Sequence, residues 1–566
     1  MPFLKDRFRS AWCSAVLLLF GSLLVLGTCT ARAQSLSGSI QGAVTDPSKA
    51  VVPGTTVRIE NPVSGYARET TTDSNGAFEF VNVPFNPYHL TVFSQGFAAS
   101  AQDVTVRSSV PVKLQISLTL AGAATSVTVH ANAEDLMEVT PTFHTDVDRG
   151  LFNTLPLESQ SSSVSSLVTL ASPGVSADSN GLFHGLGDHA ENSFSVDGQP
   201  ITDQQSKVFS NQIPVDAIQS MQVIPGAPPA EYGDKTSLII DVTTRSGLGQ
   251  NTPTGNVTTS YGSFGTVNGT VNLGYGGKKW GNFLSANGLN TGRFLDPPEF
   301  EIFHAKGNQQ NLFDRLDFQP TDPDSLHLNF NYTRSWFQTP NSFDAQLHTC
   351  NVGLDTCDPT NSFVVNPVTG APLGPSDQRS QIKTFNIAPS WTHLFGATTV
   401  TSLIGWVRRD HYNYYPSADP FTDYVTNLQG VTAGQERFLT NAGARADVSY
   451  VKGIHNVKAG VTFQHTFITE NDTLGVVDPA FLGPGSCPDP ANLLCPYDLT
   501  QGGSLYKFRV HGDIKQVALY AQDAITLGNW SFNVGVRGDL YRGFTSDSQA
   551  QPRVGLAYNI KRSNTV

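Results

Sequence analysis

From about residue 254 onward the chain repeats one pattern: long runs in which apolar residues alternate with polar ones. Leu326, Leu328, Phe330, Tyr332 and Trp336 alternate with Ser325, His327, Asn329, Asn331, Thr333 and Ser335. Trp530, Phe532, Val534, Val536 and Leu540 alternate with Ser531, Asn533, Gly535, Arg537 and Asp539, and similar runs surround Ala446, Val461 and Val554. Successive side chains on a strand point to opposite faces, so each run has one apolar and one polar face. The runs last about 9–13 residues, whereas a globular strand averages about 5–6 and a tilted membrane-crossing strand needs about 9–11. A soluble sandwich would bury the apolar face against a second sheet. A membrane barrel turns it to lipid and keeps the polar face on a wet interior. Strand length favours the barrel, and so do the connections. Short ones at Gly396-Ala397, Lys452-Gly453 and Gly528-Asn529 alternate with long ones at 338–380, 413–435 and 473–505, as periplasmic turns alternate with extracellular loops.

Composition agrees. Only 14% of the 566 residues are charged, against roughly 25% in an ordinary soluble domain, as befits strands with one face in lipid. The net charge of -12 offers no basic face for phosphate neutralisation, which excludes nucleic acid as a partner.

At the N-terminus, Lys5, Arg7 and Arg9 precede an apolar run from Ala15 to Leu26, and Ala31-Arg32-Ala33 follows. The run is too short to span a bilayer as a helix, so residues 1–33 read as a cleaved export signal; the competing reading is a membrane anchor. Cys13 and Cys29 leave with it. The other cysteines form two local pairs, Cys350/Cys357 and Cys487/Cys495, both on long connections. Two short-range disulfides suit an oxidising compartment; zinc is disfavoured because neither pair has CxxC spacing or a nearby His pair. No H-E-x-x-H, G-x-S-x-G or G-x-x-x-x-G-K-[ST] motif occurs. We therefore expect no catalytic residue, metal or cofactor, and no enzyme. Tyr412, Tyr414 and Tyr415, placed by this reading in a long loop, fit either a sugar-stacking platform or interfacial aromatics at a strand end.

Residues 37–120 are rich in Val, Thr and Ile, with turn signals about every 8–12 residues, including Val52-Pro53-Gly54 and Asp73-Ser74-Asn75-Gly76. That spacing predicts a small antiparallel sandwich. Gly42-Ala43-Val44-Thr45-Asp46, Pro53-Gly54-Thr55-Thr56-Val57 and Ala77-Phe78-Glu79-Phe80 resemble the carboxypeptidase regulatory-like domain, a non-catalytic family, which implies a binding or spacer role. Farther on come Leu155-Pro156-Leu157, Phe183-His184-Gly185, Asn192-Ser193-Phe194-Ser195-Val196-Asp197-Gly198, and Ala230-Glu231-Tyr232-Gly233. In this order they resemble the plug domain of TonB-dependent outer-membrane receptors, with His184, Gly185, Asp197, Gly198, Glu231, Tyr232 and Gly233 as the plug motif. His184-Gly185 stands where that family commonly has Arg-Gly. Ahead of it, Thr125, Ser126, Val127, Thr128, Val129, His130 and Ala131 resemble a TonB box, a segment that adds a strand to a partner's sheet edge. Tyr520-Ala521-Gln522-Asp523 and Gln551–Tyr558 resemble strands of the Oar-like branch, in which a regulatory-like domain precedes plug and barrel.

The resulting expectation is a mainly β chain in the outer membrane of a Gram-negative bacterium. Its parts are a signal peptide (1–33), a regulatory-like sandwich (34–120), a linker with the candidate TonB box (121–134), an α+β plug (135–247) and part of a transmembrane antiparallel β-barrel (248–566). About twelve strands are counted where the family's barrel has 22, so the chain reads as a C-terminally truncated receptor unable to close a native barrel, since an open edge in lipid leaves backbone groups unpaired. The resemblance implies energised uptake of a bulky, unidentified extracellular solute, with the TonB energising complex of the inner membrane and outer-membrane lipid as partners. The alternative is a surface protein for adhesion or carbohydrate binding without transport.

Overall fold

The computed structural model describes residues 38–61, 66–120, 140–154, 163–177, 183–186, 192–201, 213–233, 237–295, 302–321, 323–342, 366–371, 376–424, 429–478, 480–481, 492–558 and 560. The first unit holds β1 (Gly38–Thr45), β2 (Thr56–Asn61), β3 (Tyr66–Thr71), β4 (Ala77–Val83), β5 (Pro87–Phe93), β6 (Ser100–Thr105) and β7 (Val112–Ser117). Two sheets, β4-β1-β7 and β3-β2-β5-β6, face each other, with β1 parallel to β7. The alternating residues Val57 and Ile59, with Ile40, Phe80, Tyr88 and Leu90, fill the space between them.

The second unit holds β8 (Thr145–Asp148), α1 (Arg149–Thr154), α2 (Ser163–Ala171), β9 (Val175–Ala177), β10 (Phe183–Gly185), β11 (Asn192–Val196), β12 (Gln199–Ile201), β13 (Ile218–Pro225) and β14 (Leu238–Thr244). Its sheet runs β12-β11-β14-β13-β8, with β11 parallel to β14. Leu167 and Val168 of α2 pack with Val223, Leu238 and Ile240 in one core, which Phe283 and Phe313 of the large sheet also enter.

The large sheet has twelve strands, all paired antiparallel. They are β15 (Thr254–Gly262), β16 (Thr266–Gly276), β17 (Trp280–Thr291), β19 (Gly307–Thr321), β20 (Asp324–Gln338), β22 (Arg379–Phe395), β23 (Thr399–Tyr415), β24 (Val431–Lys452), β25 (His455–Val476), β26 (Tyr506–Leu527), β27 (Trp530–Arg542) and β28 (Ser546–Tyr558). The short β18 (Ile302–Phe303) and β21 (Asn341–Ser342) pair with each other outside it.

The burial of this sheet is inverted relative to a soluble protein. Val534, Val536 and Leu556 are exposed, while Arg315, Asn329, Thr333 and Ser335 are buried, Arg315 and Asn329 against the second unit. The polar face is thus the inner one, as a membrane barrel requires. Tight turns join the strands at one end. Gly453 (φ 58°) and Gly528 (φ 61°) adopt the left-handed backbone that two-residue hairpins demand and glycine supplies at least cost. The first of these turns is Gly453-Ile454, because Lys452 still belongs to β24.

Two sequence expectations need correction. β23 runs to Tyr415, β24 begins at Val431 and β25 runs to Val476, so the connections expected at 413–435 and 473–505 narrow to 416–430 and 477–505. Above the bilayer both faces of a strand meet water, so alternation fades while the backbone ladder continues. For the same reason Tyr412, Tyr414 and Tyr415 lie in β23 and not in a loop. Tyr414 donates its hydroxyl to Gln378 Oε1 (2.9 Å), and Tyr412 packs beside Ile382.

Candidate plug–barrel interface

The second unit meets the inner face of the large sheet through two groups of polar contacts, and a third group holds the sandwich. The first is built on a tight turn. Asp197 (φ 46°) and Gly198 (φ 85°) both have positive φ, the conformation that an Asp-Gly pair supplies between β11 and β12. The turn aims the buried Asp197 carboxylate at the wall. It accepts hydrogen bonds from Thr244 N (3.0 Å), Thr244 Oγ1 (2.6 Å) and, from β20, Asn329 Nδ2 (2.6 Å). Arg315 Nη1 of β19 stands 3.4 Å away. Burial pushes this carboxyl upward, but the Arg315 charge and the Thr244 hydrogen bonds outweigh it and leave the group below the usual range. Next to it, Gln199 and Asn386 exchange two amide hydrogen bonds of 2.9 Å.

The second group surrounds the segment 228–231, which precedes Tyr232-Gly233. Five consecutive strands each send one side chain to it. Arg553 of β28 donates to the carbonyls of Pro228 (2.8 Å) and Pro229 (2.7 Å). Arg537 of β27 donates to the Glu231 carbonyl (3.3 Å). Gln522 of β26 accepts from Glu231 N (2.9 Å) and donates to its carboxylate (3.1 Å). Lys458 of β25 pairs with Glu231 Oε2, and Arg445 of β24 stands 3.5 Å from the same oxygen. Tyr232 turns the other way and donates to Asp241 of β14 (3.2 Å). Burial pushes the Asp241 carboxyl up to about 6, with the Glu231 charge adding to the rise. Gly233 lies against the Arg537 guanidinium, where a Cβ would stand 2.1 Å from it, so a side chain here would push that guanidinium aside.

Four wall arginines share a sequence signature that motif reading missed. Arg315-Leu316-Asp317, Arg408-Arg409-Asp410, Arg445-Ala446-Asp447 and Arg537-Gly538-Asp539 are all Arg-x-Asp. On a strand, i and i+2 share a face. Each Asp accepts from its own Arg Nε at 2.7–3.0 Å. The Asp both neutralises the cation and braces it. The inward face therefore carries prealigned donors, each paired with an acid on its own strand.

The third group ties the sandwich to the turn end of the large sheet. Asp73 pairs with Lys278 (2.6 Å), Asn456 Nδ2 donates to the Arg107 carbonyl (2.9 Å) and Asn86 Nδ2 donates to Asp146 of β8 (2.5 Å). Between sandwich, inner unit and wall lies a cavity of about 430 Å³, bordered by Arg107, Asp146, Glu231, Asp241, Lys458 and Gln522.

Of the other candidate residues, His184 and Gly185 lie on β10, paired with Ser176 and Val175 of β9. A Cβ at Gly185 would stand 2.9 Å from the Ser237 carbonyl oxygen, so the backbone is too close for a side chain. Cys495 is disulfide-bonded. Cys350, Cys357, Cys487 and the candidate TonB box, 125–131, lie outside the described residues. Among the described residues no three His, Cys, Asp or Glu side chains gather as a metal group.

Comparison with known proteins decides what the inner unit is. Residues 156–237 match the family model of the TonB-dependent receptor plug domain. The chain carries a TonB-receptor plug. Residues 39–119, ahead of the plug, match the carboxypeptidase regulatory-like domain. The fold is also that of solved outer-membrane receptors. The ferripyoverdine receptor of Pseudomonas aeruginosa, bound to ferripyoverdine, has a TM-score of 0.54 at 14% identity; the match covers 79% of this chain and 60% of that one. For the unliganded ferric citrate transporter FecA the figures are 0.50, 15%, 75% and 61%. For the ferric-catecholate import receptor Fiu of E. coli K12 they are 0.50, 14%, 75% and 69%. The chain thus spans about 60% of the length of the first two. No curated protein matches it in sequence. The plug and the barrel-type sheet around it are an outer-membrane architecture.

Proposed function

We propose that the chain serves energised uptake of a bulky solute across the outer membrane. The carrying observation is the grip of five neighbouring strands on the one plug segment 228–231. A plug held by discrete polar contacts on an inward polar wall is suited to being drawn aside and returned. Arg445 and Arg537 keep Asp447 and Asp539 when the plug leaves, and Arg553 keeps the Gln551 amide oxygen. Solute is captured at the long-loop end, and the TonB complex pulls from the opposite end through 125–131, adding that segment as a strand to its own sheet edge. The chain does this without a catalytic centre.

Deleting Thr125–Ala131 tests the reading. Cells carrying the deletion should lose energy-dependent retention of whichever member of a panel of iron chelates, cobalamin and oligosaccharides the intact chain takes up, while still binding it at the surface. Retained uptake would remove the assignment of the box. Surface binding without uptake in both forms would favour a binding protein over a transporter.

A further inference from the structure

At its turn end the large sheet is straddled by the sandwich, which does not hang from one side of it. Asp73, between β3 and β4, pairs with Lys278 in the turn between β16 and β17 (2.6 Å). Arg107, just past β6, accepts at its carbonyl from Asn456 Nδ2 of β25 (2.9 Å) and reaches the Gly453 carbonyl with Nη2 (3.5 Å). Between these two anchors stand β19, β20, β22 and β23. Neighbouring strands lie about 4.8 Å apart, so the anchors are separated by about 24 Å or more along the sheet. A third anchor lies on the plug. Asn86 Nδ2 donates to Asp146 of β8 (2.5 Å), and Gln222 of β13 donates to the other carboxylate oxygen (3.3 Å).

The anchors surround the cavity of about 430 Å³. Pro87 and Arg107 of the sandwich, Pro229 and Glu231 of the plug, and Lys458 and Gln522 of the wall all border it. This is the size of a small-molecule pocket, about 300–1,000 Å³. It gives the segment 228–231 room to loosen, but it cannot receive the sheet β12-β11-β14-β13-β8. While the sandwich is docked, the plug's way out at this end is barred.

The docking is also built to come apart. Its anchors are polar, and among the described residues no side chain belongs to both the apolar core of the sandwich and that of the plug. Lys278 is 69% exposed, so its pair with Asp73 is weak. Glu231 sits in a largely buried cluster with Lys458 and Arg445, whose rupture is costly. The sandwich therefore lets go before the segment 228–231 does.

We infer that the sandwich is a releasable clamp: docked, it bars the plug from leaving through the periplasmic mouth, and it must swing off the wall before the plug moves. The clamp's use in transport rests on the uptake reading above; the clamp itself rests on the docking. A pull on the chain between Leu120 of the sandwich and Thr140 at the start of the plug acts between the two, and so loads these anchors directly.

Two measurements on the purified full chain in detergent test this. Ala524→Cys puts a thiol on the cavity wall, where a polyethylene-glycol maleimide is too bulky to reach it past the docked sandwich. Adding Lys278→Glu and Asn456→Ala should speed labelling by roughly tenfold or more, from the loss of one exposed pair and one hydrogen bond and the new repulsion at Asp73. Asp73→Lys on top restores the ion pair in reverse and should slow labelling again, which separates release from loss of fold. For the second measurement, Asp73→Cys and Lys278→Cys are joined by a bismaleimide. In moderate urea the peptide 228–233 should then exchange its amide hydrogens about tenfold more slowly than in the unlinked protein, and faster in the released variant. Equal labelling with and without the anchors overturns the clamp. So does no recovery on charge reversal, or exchange in urea that the cross-link leaves unchanged. In cells the cross-link should stop energised uptake and spare surface binding. Uptake by the linked chain overturns the clamp. Absence of uptake in the unlinked chain is a failure of the uptake reading alone, and labelling and exchange still decide the clamp.

Discussion

Replacing Glu231 by Ala removes the one plug carboxylate that two wall cations share. Glu231 is 11% exposed, Lys458 15% and Arg445 5% at the side chain, so this is a largely buried cluster. Arg445 keeps Asp447 at 2.7 Å and is not stranded. Lys458 loses its carboxylate partner, and removing one member of a buried pair costs about 3–5 kcal/mol. Lys458 also borders the cavity of about 430 Å³, where water can reach it, which lowers the figure to about 2–3 kcal/mol. The contacts of Arg537 and Arg553 to plug carbonyls survive, since they do not use the carboxylate. The segment should therefore open about 30- to 150-fold more often, at about 1.4 kcal/mol per tenfold. Hydrogen exchange reads this directly, because Glu231 N–H donates to Gln522 Oε1 (2.9 Å). In Glu231→Ala the peptide covering 228–233 should exchange faster by that factor, while β13 exchanges as before. Glu231→Gln keeps an acceptor and loses only the charge, so its effect should be smaller, about tenfold. Unchanged exchange at 228–233 would refute the latch. Equal acceleration at β13 would show that the carboxylate supports the whole plug fold and not its docking.

Asp197→Asn sets an amide N–H among the donors Thr244 Oγ1, Asn329 Nδ2 and Arg315 Nη1; docking of β11 and β12 should weaken by about 3–5 kcal/mol, seen as faster proteolysis of the plug. The raised Asp241 pKa stabilises the plug most at pH below the unfolded value of 3.8, and the benefit is lost as pH rises through about 6. The plug should thus resist denaturant better at pH 5 than at pH 7.5, by about 1.4 kcal/mol, and Asp241→Asn should flatten that slope; equal slopes in both proteins would assign the effect elsewhere. Val534→Arg, on the outward face, should cost about 2–4 kcal/mol in lipid vesicles, measured by urea unfolding. A cost near zero there would mean that this face does not meet lipid.

Much of the fold was legible because alternation is a local property. The period-2 runs named which face of β20, β27 and β28 turns outward, and twelve strands were counted before any pairing was known. The Asp197-Gly198 turn was legible for a similar reason, since few dipeptides tolerate two positive φ values in succession. The far ends of β23, β24 and β25 were read a few residues short, because alternation stops at the membrane surface and the hydrogen-bond ladder does not. The partners of the plug motif were not legible either. Glu231 and Gln522 are 291 residues apart, and no local pattern links them. The Arg-x-Asp repeat was a usable signal that went unread: a cation and an acid two apart on the polar face of a strand brace each other toward the lumen.

Alternation and turn chemistry by themselves settle a β-rich chain with an apolar outer face, a polar inner face, and a separate sandwich ahead of it. They act through neighbours along the chain, so one strand suffices to read them. Which polar residues matter is a different kind of fact. Arg445, Lys458, Gln522, Arg537 and Arg553 resemble any other inward polar residue until the sheet curves round the plug and brings five strands to one segment. The same holds at the turn end, where Asp73 and Lys278, 205 residues apart, meet only once the sandwich lies across the sheet. Both sites are made by non-local contacts, and so only the tertiary structure could assign them.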